Sequence, residues 1–329
     1  MWNKDIKKLF SGLFRRIAKS FEEEPEPSEA KNHDVILTPL QKIVKKDQSK
    51  ALTLRKKISP GTTIPFSRDV RDIRDIMELM EVPFVALSKN RTKPIIYESL
   101  DGRKRVRISR HTLHYVASIY DWDIILLVSS KLQEMINSGS DIPPRTLIIP
   151  RHELLKEIHK HDGKKQEKDL KSSLSRLQTT AIETTIYNED GRYDAGFGFL
   201  DSWGYTDRKD VKEFRITLSQ WLYDITCHKG SLLKVNPAYF RITSGLKKFL
   251  YRTARKHVGT QNESWMFSLE ILYEKSGSEQ DLRLFKRDLK KIVRDNDIPD
   301  YSLEWIEEDG NTSVKFKNGK KEVKKMLSK

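Results

Sequence analysis

Residues 279–317 decide the fold, because they combine an amphipathic helix with a strand–turn–strand signal. The stretch 279–296 reads EQDLRLFKRDLKKIVRDN, 301–308 reads YSLEWIEE, and TSVKFK (312–317) follows the turn Asp309-Gly310-Asn311. Apolar residues recur at helical spacing in the first piece and share one face; they are Leu282, Phe285, Leu289, Ile292 and Val293. Asp-Gly between two alternating runs is a strong hairpin signal. A helix followed by a twisted hairpin predicts the end of a winged helix-turn-helix unit.

The residues before this helix complete the same unit. LLKV (232–235) is a short predicted strand, and LKKFLYRTARKH (246–257) is a predicted helix. MFSLEILYEKS (266–276) contains a strand and a short helix. Three helices and a hairpin predict a winged-helix domain over 226–319.

An earlier part of the chain has the same order of elements. Helices are predicted at 121–136, 151–161 and 166–179, with a strand, TLIIP, at 146–150. Strands AIETTIY (181–187) and EFRITL (213–218) close this round, and NEDG (188–191) between them is the hairpin signal. We therefore predict an α+β fold with two tandem winged-helix domains, 75–225 and 226–319, which meet between Leu218 and Leu232.

The two ends of the chain differ from this pattern. Residues 2–21 have an apolar, aromatic-containing helical face opposite a basic one, which predicts a basic amphipathic helix over 1–21. Such a helix suits an anionic membrane surface, a groove on a partner protein, or its own domain, and the sequence leaves these open. EEEPEPSEA (22–30) begins an acidic and then polar linker, expected to be disordered, that extends to 74. Residues 320–329 form a lysine-rich basic tail.

The overall charge indicates a polyanionic partner. The 329 residues carry 62 Lys and Arg against 47 Asp and Glu, a formal net charge of +15. Cations docked on phosphates release condensed counterions, which favours binding to double-stranded DNA. A single cysteine and the lack of a long apolar run predict a cytoplasmic protein, with peripheral membrane contact only through 2–21.

The last helix of each unit is the candidate recognition helix. On 279–296, cations stand at spacings of four, three and four, opposite the apolar face, with lysines beside them. These candidate DNA-binding residues are Arg283, Lys286, Arg287, Lys290, Lys291 and Arg294. The first unit repeats the spacing with residues that suit phosphate positioning: Lys164, Lys168, Lys171 and Ser175. The predicted wings add Arg192, Lys315 and Lys317.

Motifs for catalysis, metals and cofactors are missing. The chain contains no Gly-x-x-x-x-Gly-Lys-Ser/Thr phosphate loop. His152-Glu153 lacks the second histidine of a zinc-protease helix, because Lys156 stands in its place, and Cys227-His228 has no second cysteine. His159-Lys160-His161 has a lysine where the metal-binding pair of nicking enzymes has a hydrophobic residue. We predict no enzyme activity, no metal and no cofactor.

Four segments of the chain carry a family resemblance: DIMELMEVPFVALSKNRTKPIIY (75–97), SIYDWDIILLVSSKL (118–132), NPAYFRITSGLKKFLYRTARKHVG (236–259) and YEKSGS (273–278). Together they resemble the bacterial plasmid replication initiator protein A family. The likeness runs from about residue 75 to about 306. It implies an initiator that binds repeated sites at a plasmid origin, helps to open the duplex, and recruits the host initiator ATPase and replicative helicase. It also implies binding to repeats as a monomer and repression of its own promoter as a dimer.

Two other readings compete with an initiator. A winged-helix transcription regulator has the same charge and docking geometry, and it differs in binding a single inverted repeat rather than an array of direct repeats. A rolling-circle nicking enzyme needs a metal-binding histidine pair and a catalytic tyrosine, and the pair is absent here.

Overall fold

Seven α-helices form where the sequence supplies apolar faces and caps. In the computed structural model they are α1 (Trp122–Asn137), α2 (Arg151–Glu157), α3 (Lys164–Thr179), α4 (Gln220–Cys227), α5 (Gly245–His257), α6 (Leu269–Ser276) and α7 (Leu282–Asp295), counted over the described residues. Each of the last four helices begins at a capping residue whose side-chain oxygen accepts a hydrogen bond from the backbone N–H three residues later. These capping residues are Ser219, Ser244, Ser268 and Asp281. These caps satisfy amide groups that the first turn of a helix leaves free.

The structure describes residues 72–140, 143–186, 195–209, 211–260 and 262–319. All of them belong to one compact unit, Thr62–Lys329. The predicted helix over 1–21, the linker up to 71, the turn at 188–191 with Arg192, and the tail over 320–329 lie outside the described residues.

Twelve strands within those ranges form four antiparallel sheets. The strands are β1 (Arg74–Ile76), β2 (Ile95–Glu98), β3 (Arg105–Ser109), β4 (Thr146–Pro150), β5 (Ala181–Thr184), β6 (Ala195–Phe197), β7 (Leu200–Arg208), β8 (Val211–Leu218), β9 (Leu232–Lys234), β10 (Ser264–Ser268), β11 (Tyr301–Glu308) and β12 (Asn311–Asn318). The sheet orders are β1-β9, β2-β3-β5-β6, β4-β8-β7 and β10-β12-β11. Two 3₁₀ turns, Met77–Met80 and Pro237–Arg241, complete the elements.

Two groups of elements repeat one order along the chain. In the first half, α1, β4, α2 and α3 precede the hairpin β7–β8, and β4 pairs with β8. In the second half, α5, β10, α6 and α7 precede the hairpin β11–β12, and β10 pairs with β12. The second hairpin turns at Asp309 and Gly310, both with positive φ, as the Asp-Gly signal predicts.

The hairpin predicted for the first half is wrong. The strand at 181–184 pairs with β3 and β6, not with 213–218. Residues 213–218 belong to β8, whose hairpin partner is β7. The sequence hides β7 because most of its residues, LDSWGYTDR, are exposed or half-buried, so no apolar alternation marks the strand. Helix α4, between the two halves, was also not predicted.

Buried ion pairs join the two halves. On α5, the Lys248 ammonium lies 2.6 Å from the Asp123 carboxylate of α1, and both side chains are at most 4% exposed. Burial raises the pKa of Asp123 to about 6, against the opposing attraction of Lys248. One turn further along α5, Arg252 donates to Asp75 of β1 at 2.6 Å. Strand β1 also pairs with β9, so the interface contains both charges and backbone hydrogen bonds.

Two glycines allow close approach at the same interface. A Cβ on Gly245, the first residue of α5, would stand 2.1 Å from the Leu87 carbonyl oxygen. Gly277 ends α6 with φ +59, and a Cβ there would stand 2.8 Å from Pro83. Any larger residue at either position has to move the backbone or a packed proline ring.

Candidate nucleic-acid interface

Helix α7 separates a buried apolar face from an exposed basic face. Phe285, Leu289, Ile292 and Val293 are buried, whereas Leu282, predicted to pack inward, is 38% exposed at the first turn. The exposed face carries five of the six predicted cations: Arg283, Arg287, Lys290, Lys291 and Arg294. The structure therefore brings these residues together on one accessible surface, which we call the α7 basic face.

Acidic neighbours hold some of the α7 cations. Arg287 donates to its neighbour Asp288 at 2.8 and 3.0 Å, and this hydrogen bond is the main reason that the pKa of Asp288 is lowered. Arg294 lies 3.6 Å from Asp295. Both arginine side chains are more than two-thirds exposed, so these ion pairs are weak. Each arginine can therefore exchange its carboxylate partner for another anion. Within the described part of the chain, Arg283 and Lys291 form no ion pair.

The sixth cation, Lys286, points towards the second hairpin. It is half-buried, donates to Thr312 at 2.8 Å, and lies 3.7 Å from Glu307. Glu307 also lies 3.8 Å from Lys290, and its pKa is lowered, chiefly by a hydrogen bond from Trp305 and then by Lys290. The hairpin thus shields part of the positive charge of α7.

The tip of the second hairpin is acidic. Glu307, Glu308 and Asp309 stand at or beside its turn. The two predicted wing lysines lie further from the tip on β12: Lys315 is opposite Met266 and Glu304, and Lys317 is 2.9 Å from Glu304. Phosphate repulsion at such a tip favours contact through α7 rather than through the turn.

Helix α3 presents a different set of cations from the one predicted. Leu170, Leu174 and Leu177 are buried, as expected. The exposed residues of this helix include Lys164 and Lys168 from the predicted set. They also include Lys165 and Ser172, which sequence reasoning passed over. Lys171 and Ser175 are half-buried, and Lys171 lies over the ring of Tyr205 on β7.

The Lys171 ammonium group already has partners within the protein. Its ammonium donates to Glu167 at 2.8 Å and lies 3.9 Å from the centre of the Tyr205 ring. Glu167 also accepts from Arg151 and from the Tyr205 hydroxyl, each at 2.8 Å. These donors, Lys171 first, lower the pKa of Glu167 to about 2. Lys171 therefore joins α3 to β7, and Lys168 is the freer cation.

The first hairpin has the basic tip that the second lacks. Arg208, Lys209 and Lys212 are exposed around its turn, and Lys212 lies 3.6 Å from Asp207. The sequence does not identify these residues, because its turn signal at 188–191 predicts the wing at Arg192. The polar run TDRKD (206–210) between two aromatic-containing stretches was the available signal.

The described ranges contain neither a metal site nor a membrane span. No group of three His, Cys, Asp or Glu side chains there is placed to hold a metal ion. No helix among these residues is long and apolar enough to cross a bilayer. Burial raises the pKa of the Cys227 thiol to about 11, which disfavours the reactive thiolate.

The fold has a solved counterpart. It matches the crystal structure of domains 2 and 3 of RctB with a TM-score of 0.54 at 12% identity, covering 74% of this chain and 98% of that one. A second structure of RctB domains 2-3 has a TM-score of 0.49 at 12% identity, covering 76% and 99%. The first match defines the fold class as that of these RctB domains.

Sequence comparison identifies the family. The model described as "Replication initiator protein A" matches residues 74–303. A "Putative replication protein" of Wigglesworthia glossinidia brevipalpis is 31% identical over 228 residues, covering 68% of this chain and 81% of that protein. The chain therefore belongs to the replication initiator protein A family, and its functional class is that of a plasmid replication initiator. The resemblance predicted from residues 75–306 is confirmed.

Proposed function

We propose that this protein initiates plasmid replication by binding repeated double-stranded DNA sites at the origin, with α7 and α3 as its recognition helices. The observation that carries the proposal is the α7 basic face, where five exposed cations stand opposite a buried apolar stripe. An exposed basic helix backed by a hydrophobic core can enter the major groove without unfolding its own domain.

The two halves are proposed as tandem winged-helix domains over 75–225 and 226–319. The repeated order of helix, strand, helix, helix and hairpin supports this, as does the pairing of β4 with β8 and of β10 with β12. In such domains the third helix lies in the major groove and the hairpin lies beside it.

The two recognition helices have different proposed roles. Helix α7 carries three arginines, whose planar forks can hold guanine edges with two hydrogen bonds each. Helix α3 presents Lys164, Lys165 and Lys168, which suit phosphate contacts without sequence information. The basic tip around Arg208 and Lys209 lies at the end of β7, the strand that packs against α3, and adds contacts to the DNA backbone. Sequence discrimination then depends mainly on α7.

Family membership supports the remaining parts of the proposal. The protein acts without catalysis of its own and supplies origin binding, while the host initiator ATPase and replicative helicase supply ATP hydrolysis and unwinding. It binds repeats as a monomer, represses its own promoter as a dimer, and works in the cytoplasm on plasmid DNA. The amphipathic segment 2–21 is proposed to dock on an anionic membrane surface or on a partner protein, outside the DNA contact.

Footprinting on the replicon that encodes the protein tests the proposal. The purified full chain is expected to protect an array of direct repeats and to leave supercoiled origin DNA un-nicked in Mg²⁺ or Mn²⁺. Protection of a single inverted repeat at a promoter would favour a transcription regulator instead. Nicking that is lost in His159→Ala would contradict the non-enzymatic mechanism.

A further inference from the structure

A cavity of about 410 Å³ lies beside helix α3 and is lined by cations from three separate segments. Lys89 comes from the loop after the buried residues 82–86, Lys160 from the turn between α2 and α3, and Lys165 from α3 itself. All three are exposed, and within the described residues none of them forms an ion pair. Cations from distant parts of the chain therefore converge on one concave surface next to a proposed recognition helix.

Most of the negative charge in this cavity is already neutralised. Arg176 donates to the buried Asp121 carboxylate at 2.7 and 2.9 Å, so this pair contributes little net charge. Asp169 is the one other carboxylate in the lining, against three lysines without an ion pair among the described residues, of which Lys89 lies 4.8 Å from the centre of the Tyr120 ring. The rest of the lining is neutral: hydrogen-bonding groups come from Asn90, Gln166, Ser172, Ser173 and Tyr120, and apolar side chains from Ile124, Leu155, Ile158 and Leu170. The cavity thus combines net positive charge with polar groups able to donate hydrogen bonds.

A strained turn fixes the position of Lys160. Helix α2 ends with His159 in the left-handed region at φ 54, a conformation that favours glycine. The His159 amide donates to the Lys156 carbonyl at 3.0 Å and the Lys160 amide donates to the Leu155 carbonyl at 2.7 Å, the two bonds of a Schellman motif. The imidazole ring lies 5.9 Å from the ring of Phe240 in the second half. Backbone hydrogen bonds and ring packing therefore hold the turn that places Lys160 on the rim.

We propose that this cavity, the α3 phosphate site, binds a phosphate of the DNA backbone and so fixes the depth and angle at which α3 meets the duplex. The inference rests on the proposed function, because the phosphate is supplied by the DNA that α3 approaches. Lysine ammonium groups bind phosphate as point charges, and amide and hydroxyl groups complete the contacts. The site borders the exposed side of α3 that carries Lys168 and Ser172, so one duplex can contact both.

Salt-dependent DNA binding tests this site in the full chain. In each of the variants Lys160→Ala and Lys165→Ala, the negative slope of log K against log [salt] should become about one unit shallower. The reason is that each lysine releases about 0.9 counterion when it binds a phosphate. Affinity at 0.1 M salt should fall about fivefold to tenfold, equally for cognate and non-specific duplexes. Lys229→Ala removes an exposed lysine outside the cavity lining and is the matched control.

The variant His159→Gly tests the turn separately from the positive charge of Lys160. Glycine adopts the left-handed conformation freely, so this variant should keep the wild-type salt slope. The slope of Lys160→Ala should instead be shallower by about one. A slope in Lys160→Ala equal to that of Lys229→Ala would overturn the phosphate site while leaving the proposed function intact. If the wild-type chain binds no duplex, the proposed function and the phosphate site both fail.

Discussion

The replacement of Arg252 by methionine should destabilise the whole folded region, because this residue joins its two halves. The Arg252 guanidinium donates to Asp75 at 2.6 Å and to the Leu79 carbonyl at 3.0 Å. Asp75 also accepts from the Trp122 indole and from the Ile76 amide, each at 2.8 Å. The arginine side chain is 6% exposed and the aspartate 1%, so water cannot replace the lost partner.

The size of the effect follows from this burial. Removal of one member of a buried pair leaves an uncompensated charge and typically costs about 3–5 kcal/mol. That is a large share of the roughly 5–15 kcal/mol that stabilises a typical folded protein. In the double variant Arg252→Met, Asp75→Asn the remaining amide is neutral and can still accept both neighbouring N–H groups, so most of the loss should be recovered.

Urea unfolding followed by circular dichroism measures these differences. Lys247→Met is the matched control, since Lys247 is on the same helix and its 2.6 Å pair with Asp297 is at the surface, worth about 0.2–1 kcal/mol. We expect one cooperative transition for the wild type. An Arg252→Met variant as stable as Lys247→Met, or a double variant no more stable than the single one, would refute the reasoning.

Three other properties follow from the structure. Glu307→Gln removes the carboxylate beside two α7 lysines, so duplex affinity measured by fluorescence anisotropy should rise about twofold to fivefold at low salt. Burial lowers the pKa of His257 to about 4, below its unfolded value near 6.5, so the stability it contributes is present above pH 6.5 and is lost as the pH falls towards 4. His257→Phe should therefore show a smaller fall in urea midpoint between pH 7 and pH 5 than the wild type. Because buried pairs and β1–β9 join the halves, insertion of one or two base pairs between the segments that the two recognition helices contact should lower affinity to that of a half-site.

Each of these three predictions would be contradicted by a specific result. Unchanged or weaker binding by Glu307→Gln would mean that its carboxylate does not compete with phosphate. An equal pH dependence in His257→Phe and wild type would exclude the half-buried His257 imidazole as the titrating group. Tolerance of inserted base pairs would show that the two halves move independently.

The sequence predicts α7 and its basic face well because both depend on local spacing. Helical periodicity places the buried Phe285 and Leu289 opposite the exposed Arg283 and Arg287 without any knowledge of tertiary contacts. The Asp309-Gly310 turn is equally local.

Features that depend on distant contacts were missed. Lys171 repeats the spacing of an exposed face, yet Glu167 and Tyr205 occupy it, and Tyr205 lies on a strand that the sequence did not reveal. Because β7 is not predicted from the sequence, the first wing is predicted at Arg192, and the exposed cations near residue 208 are not identified. Pairing of strands across an irregular connection leaves no periodic signal.

The segment that carries the family resemblance has a structural role. Within 236–259, Lys248 and Arg252 are buried and neutralised by acids of the first half, and Gly245 permits close approach to Leu87. Its basic composition suggests DNA contact, but two of its charges, Lys248 and Arg252, hold the two halves together. The resemblance therefore identifies the family without locating the proposed DNA-binding surface.

Binding of Arg287→Ala to cognate and non-specific duplexes tests the central claim most directly, that α7 reads the DNA sequence. Arg287 is 68% exposed at the middle of the α7 basic face and pairs with Asp288 alone among the described residues. A bidentate contact to guanine is worth about 1–3 kcal/mol, so cognate affinity should fall about tenfold to a hundredfold. Affinity for non-specific DNA should change by less than about threefold, because other cations on the face still contact phosphates. Cognate affinity within about twofold of wild type would contradict the assignment of α7 as the recognition helix.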